Sequence, residues 1–212
     1  MNKTAHPYDL EDANDPYVPY ELLDGVQYGE PPYEILGGKK VIMSPSPKYN
    51  HCSLVTMICT IFTNYILEKK INATVLGDNF DVYFSTKYHC KPDVSVICDR
   101  KRLRNGKRLY NAPDLAVEVI SKSSEKIDTG EKKEKYEEYG VREYWIVDPD
   151  KKSIQVYHLV NGNFLDSGKY NFDGSGAGDK IDVSIFEDLI VDLKLVFKFV
   201  IDEEDDEEII EE

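Results

Sequence analysis

A chain of 212 residues with 41% hydrophobic and 31% charged side chains can fill one core and has the balance of a globular protein. It contains no run of eighteen apolar residues, which argues against a membrane-spanning helix. The polar stretch Met1 to Asp15 lacks the apolar segment of a secretory signal, so a cytoplasmic location is the expectation. The net charge of −14 disfavours a polyanionic partner until it is located: nine of the last eleven residues, 202–212, are acidic, and the rest of the chain carries only −5.

Residues 1–19 hold Pro, Asp, Asn and Tyr without periodicity and read as a flexible arm. Residues 20–200 read as one α/β domain, and 201–212 as a disordered acidic tail. Tyr33-Glu34-Ile35-Leu36 and Lys40-Val41-Ile42-Met43 flank Gly37-Gly38-Lys39, the signature of a hairpin, which Ser44-Pro45-Ser46-Pro47 ends. A helix follows from about Tyr49 to Lys69. Leu54, Ile58, Ile61, Phe62, Tyr65 and Ile66 make its apolar face, and His51 lies in its first turn on that face. Ala73–Leu76 and Phe80–Phe84 read as short strands, and Asp93–Cys98 and Leu115–Ser121 as central ones. Helix is expected from about Asp128 to Tyr139, then strands at Arg142–Val147, Ile154–Val160 and Asn163–Tyr170. After the flexible glycine-rich loop Gly174–Gly178, a strand at Ile181–Val183 and an amphipathic helix over Ile185–Val200 close the domain.

The four cysteines show no C-x-x-C spacing, so reduced thiols are expected. His51-Cys52 and His89-Cys90 are sequence neighbours, and neighbours on a strand point to opposite sides, which disfavours them as zinc ligand pairs.

Two carboxylates sit among apolar residues: Asp93, opening Pro92-Asp93-Val94, and Glu118, within Val117-Glu118-Val119-Ile120. A buried carboxylate is costly unless a cation compensates it. Asp114 and Glu118 are four residues apart on one strand, about 13 Å, too far to share an ion. Asp93 and Glu118 belong to different strands, and adjacent pairing would bring them together, so these two are the candidate metal ligands. Six basic residues, Arg100, Lys101, Arg102, Arg104, Lys107 and Arg108, crowd the connection between those strands and suit either an anionic partner or a solvated turn. Metal-assisted phosphodiester hydrolysis also profits from a cation near the scissile phosphate. The position two after Glu118 is Ile120, so the cation must come from the next helix. There Asp128, Lys132 and Tyr136 fall on one stripe, with Lys132 facing the Glu118 strand if the stripe points inward. Asp128-x-x-Glu131 reads equally as an N-cap with its capping partner, which would leave Lys132 exposed. His51 and Glu34 are further candidates, as a base and a third carboxylate.

Pro92-Asp93-Val94, Val117-Glu118-Val119-Ile120-Ser121, Asp128…Lys132…Tyr136 and Gly140-Val141-Arg142-Glu143-Tyr144-Trp145-Ile146-Val147-Asp148-Pro149 together resemble the bacterial "putative restriction endonuclease" family of the PD-(D/E)XK nuclease superfamily. The resemblance spans roughly Tyr33 to Leu195. It implies a restriction-endonuclease-like α/β fold: a central mixed β-sheet flanked by helices, with an N-terminal hairpin and additional antiparallel strands. It also implies Mg²⁺-dependent cleavage of DNA, with Mn²⁺ as a substitute. Asp93 and Glu118 would bind the metal, and Lys132 would be the superfamily lysine moved to the helix, in place of one at Ile120. Cutting two strands with one site per chain makes a homodimer the natural assembly. The competing reading is a catalytically inactive module of the same fold, used for DNA binding, regulation or self-association.

Overall fold

The computed structural model describes residues 32–43, 47–77, 80–103, 108–174 and 179–202. The arm 1–19, the acidic stretch 203–212, the glycine-rich positions 175–178 and the basic residues Arg104 and Lys107 lie outside them.

Three apolar runs are buried along their whole length, as strands covered on both faces must be: β6 (Val94–Ile97), β8 (Leu115–Val119) and β9 (Glu143–Asp148). They form the middle of a six-stranded sheet, completed by β3 (Thr74–Gly77), β10 (Ser153–Val160) and β11 (Asn163–Asn171) in the order β11-β10-β9-β8-β6-β3. Only β8 and β9 run parallel, so the sheet is mixed. β8 reaches β9 through a helix, the crossover that a parallel pair requires.

A second sheet has the order β2-β1-β5-β4-β7. Its hairpin, β1 (Tyr33–Leu36) and β2 (Lys39–Ile42), turns through Gly37 and Gly38, both at positive φ. The strands β4 (Val82–Ser85), β5 (Tyr88–Cys90) and β7 (Leu109–Tyr110) complete it; β5 and β7, with three and two residues, were not foreseen.

Helix α1 (Tyr49–Lys69) follows the expected bounds and buries Leu54, Val55, Ile58, Phe62 and Ile66. Leu54, Val55, Ile58 and Phe62 pack with Val94, Val96, Leu115, Val117, Val119 and Trp145 on one face of the six-stranded sheet. Helix α2, over 125–139, covers the opposite face together with the five-stranded sheet, enclosing Leu36, Val82, Cys90, Ala116, Ile120, Tyr136 and Ile146. Since successive residues of β8 point to opposite faces, Glu118 shares its side with Ala116 and Ile120 and looks towards α2 and the hairpin.

Two expectations are corrected. α2 begins at Glu125 rather than Asp128, and Asp128–Lys132 is a π-turn inside it, so Asp128 is an interior helical residue and not its N-cap. The helix expected over Ile185–Val200 is mostly absent. β12 (Lys180–Asp182) pairs antiparallel with β13 (Ile190–Asp192), and only Leu193–Val196, α3, is helical. The middle of that run is taken by the pairing of β13 with β12, and before it Glu143 holds a turn, accepting hydrogen bonds from the Ser184 amide, the Ser184 hydroxyl and the Ile185 amide.

Candidate active site

The β6–β8 register pairs Val94 with Val117, so one step further along the ladder Asp93 stands opposite Glu118. The Val119 amide donates to Asp93 Oδ2 at 2.6 Å, joining the two strands at that point. The other Asp93 oxygen, Oδ1, lies 3.0 Å from His51 Nε2, at the start of α1.

Glu118 points into the space between the sheets. Its Oε1 accepts from the Tyr136 hydroxyl at 2.5 Å and from Lys132 Nζ at 3.3 Å. The Lys132 ammonium is buried and surrounded by carboxylates, at 3.0 Å from Glu34 Oε1 and 3.3 Å from Asp128 Oδ1. Glu34 Oε1 also accepts from the Lys91 amide, which ties the hairpin to the segment entering β6. The inward stripe of α2 is therefore real, and Asp93, Glu118, Lys132, Glu34 and His51 are gathered into one cluster. Asp128 and Tyr136 join it; the i, i+4, i+8 spacing with Lys132 was the signal for both.

Three buried carboxylates, Glu34, Glu118 and Asp128, thus share a single buried ammonium, while the buried Asp93 is paired with His51. The electrostatics follow from that imbalance. Burial pushes the Glu118 carboxyl well above the ordinary range; Lys132 opposes this, while Asp128, Asp93 and Glu34 reinforce it. Burial works against the Lys132 charge, but Glu118, Glu34 and Asp128 outweigh it and hold the amine well above its ordinary value. Lys132 is thus held as an ammonium that can donate hydrogen bonds.

A divalent cation fits this donor set. The surplus is oxygen-bearing and anionic, and Mg²⁺ is commonly held by one or two carboxylates with water and substrate phosphate completing its shell. Among the described residues, no group of three or more His, Cys, Asp or Glu side chains is placed to hold a metal ion.

Other candidates have structural duties. Asp114 accepts from the Cys98 amide at 2.8 Å and pairs with Arg102 and Arg142, so it ties the basic connection to the β8 entrance, as its place at the strand start suggested. Arg102 is thereby engaged within the fold, and Arg100 binds Asn72. His89 turns to Asp81 and stacks on Tyr83, while Cys90 enters the apolar core on the other face of β5. Among the described residues no helix is long and apolar enough to cross a membrane.

The architecture is shared with a solved protein. The crystal structure of a putative nuclease belonging to DUF820 from Anabaena variabilis superposes with a TM-score of 0.66 at 18% identity, covering 86% of this chain and 98% of that one. The likeness is one of fold. In sequence, the family model Uma2, described as "Putative restriction endonuclease", matches residues 18–190, and the chain belongs to that family. An uncharacterized protein of Synechocystis sp. is 28% identical over 153 residues, 69% of this chain and 79% of the relative. Family membership supports a nuclease function and suggests DNA as its substrate.

Proposed function

We propose that this protein is a Mg²⁺-dependent endonuclease that hydrolyses DNA phosphodiester bonds, with Mn²⁺ able to replace Mg²⁺. The observation that carries the reading is the convergence of Asp93, Glu118 and Lys132 from three separate elements onto one buried, carboxylate-rich point. Asp93 and Glu118 would hold the ion. When bound, it supplies Lewis-acid stabilisation of the charge that develops on the phosphoryl oxygens.

The chain's own residues do the rest. His51, beside Asp93 Oδ1, orients that carboxylate, and the Val119 amide fixes its other oxygen. Tyr136 fixes Glu118 Oε1 in the same way. Lys132 presents N–H donors to a phosphate oxygen or to the attacking water, positioning it and offsetting negative charge in a site from which bulk water is largely excluded. Glu34 keeps that ammonium from swinging away and links it, through the Lys91 amide, to the strand that begins at Asp93. Cutting both strands calls for a two-fold pair of chains.

The test is cleavage of supercoiled plasmid with Mg²⁺ or Mn²⁺. Glu118→Ala and Asp93→Ala are expected to lose activity at least about 100-fold. A fully active Glu118→Ala removes the assignment. Divalent-independent DNA binding with no cleavage in any metal supports instead the inactive module.

A further inference from the structure

Helix α2 carries a single π-turn, Asp128–Lys132, in an otherwise α-helical run. Such turns are rare, have poorer hydrogen-bond geometry than the α-helix, and recur at functional sites. Two bonds hold this one. The Thr129 hydroxyl donates to the Glu125 carbonyl at 2.6 Å, competing with the regular ladder inside the helix. From outside, the Tyr144 hydroxyl of β9 donates to the Asp128 carbonyl at 2.9 Å in a fully buried setting. Crowding is not the reason for the glycine at its centre, because a Cβ on Gly130 would meet nothing within 4 Å.

Residues four apart stand one above the other on a helix face. Asp128 and Lys132, both buried, therefore stack on the inner face with Oδ1 3.3 Å from Nζ. Asp128 is 2% exposed, and its Oδ1 makes no hydrogen bond among the described residues, so the ammonium is the group it faces. Ser124, one turn earlier, binds the same carboxylate. The remaining carboxylates have other partners: Asp93 is taken by His51 and the Val119 amide, Glu118 by Tyr136, and Glu34 by the Lys91 amide. Asp128 alone stands on the same helix as Lys132 and moves with it.

We propose that Asp128 is a positioning residue for Lys132: its carboxylate, on a turn pinned by Tyr144, faces the lysine and holds the ammonium in the site when Glu118 is engaged elsewhere. This rests on the nuclease reading of Lys132.

The experiment is steady-state plasmid cleavage by the full chain, comparing Asp128→Asn, which keeps the side chain's shape, Tyr144→Phe, which unpins the turn, and Lys132→Met. Asp128→Asn is expected to lower kcat by about 10- to 100-fold while KM for DNA and the Mn²⁺ midpoint stay within about twofold. Tyr144→Phe is expected to shift kcat the same way by less, and it carries the test if Asp128→Asn does not fold. Wild-type kcat in both variants beside an inactive Lys132→Met overturns the positioning role and leaves the nuclease reading standing. An equal shift in the Mn²⁺ midpoint also overturns it, by making Asp128 a ligand. A fully active Lys132→Met overturns the nuclease reading itself.

Discussion

Half-buried Asp81 and fully buried Glu118 are driven in opposite directions, and the contrast separates an acid satisfied within the fold from one that is not. Burial raises both. At Asp81 the hydrogen bonds from His89 and Lys91 win, and its carboxyl falls from the ordinary 3.8 to about 2. At Glu118 one lysine is set against three neighbouring acids, and the carboxyl stays well above the ordinary range. Asp81 is thus fully compensated within the fold, whereas Glu118 is left with negative charge around it that a cation would relieve. The sign at Asp81 fixes a prediction. A depressed folded-state pKa contributes stability above the unfolded value of 3.8, and that stability is lost as pH falls towards about 2. Asp81→Asn should therefore lower the thermal midpoint at pH 7, with the gap to wild type narrowing between pH 4 and pH 2. A gap independent of pH over that range would contradict the assignment.

The hairpin shows how an element serves the site without touching the chemistry itself. Glu34 and Leu36 alternate with Tyr33 and Ile35, so one face of β1 delivers a carboxylate to Lys132 and a leucine to the core. The register that does this is set by the turn at Gly37 and Gly38, with φ of 56° and 77°. Gly38→Val would force a β-branched side chain into the left-handed region, and we expect about 1–2 kcal/mol lost in urea unfolding. An unchanged midpoint would show that the turn relaxes without cost.

Much of this was legible in the sequence, for reasons that also explain the gaps. α1 could be bounded because its apolar residues recur at three- and four-residue steps from Leu54 to Ile66, and β6, β8 and β9 because their runs are mostly apolar. The cluster of Asp93, Glu118, Lys132, Glu34 and His51 could be named because strand pairing and helix stripes reduce to counting. Asp128-Thr129-Gly130-Glu131 reads locally as a capping box, and nothing nearby in sequence reveals that Tyr144 waits on a distant strand to hold a π-turn. Ile185, Leu189, Leu193 and Phe197 carry a helical period, yet the middle of that run pairs as β13 with β12, a partner that local periodicity does not reveal. Strands as short as β5 and β7 offer too few residues for alternation to show.

For the molecule as a whole, the six-stranded sheet has an apolar cluster on each face, and the candidate site lies where the layers meet. The second sheet contributes Glu34, α1 contributes His51, the central sheet contributes Asp93 and Glu118, and α2 contributes Lys132 and Asp128. No element holds more than two of them, so the site exists only in the packed fold. Nine of the acidic side chains behind the net charge of −14 lie in residues 202–212, far in sequence from the residues of this junction. The account turns on one cation shared by two acids distant in sequence. A crystal structure of the protein soaked in Mn²⁺, with the anomalous signal recorded, tests this directly: the account predicts one ion within about 2.0–2.6 Å of oxygens from both Asp93 and Glu118. An ion bound elsewhere, in a crystal of protein that cleaves DNA, would contradict it.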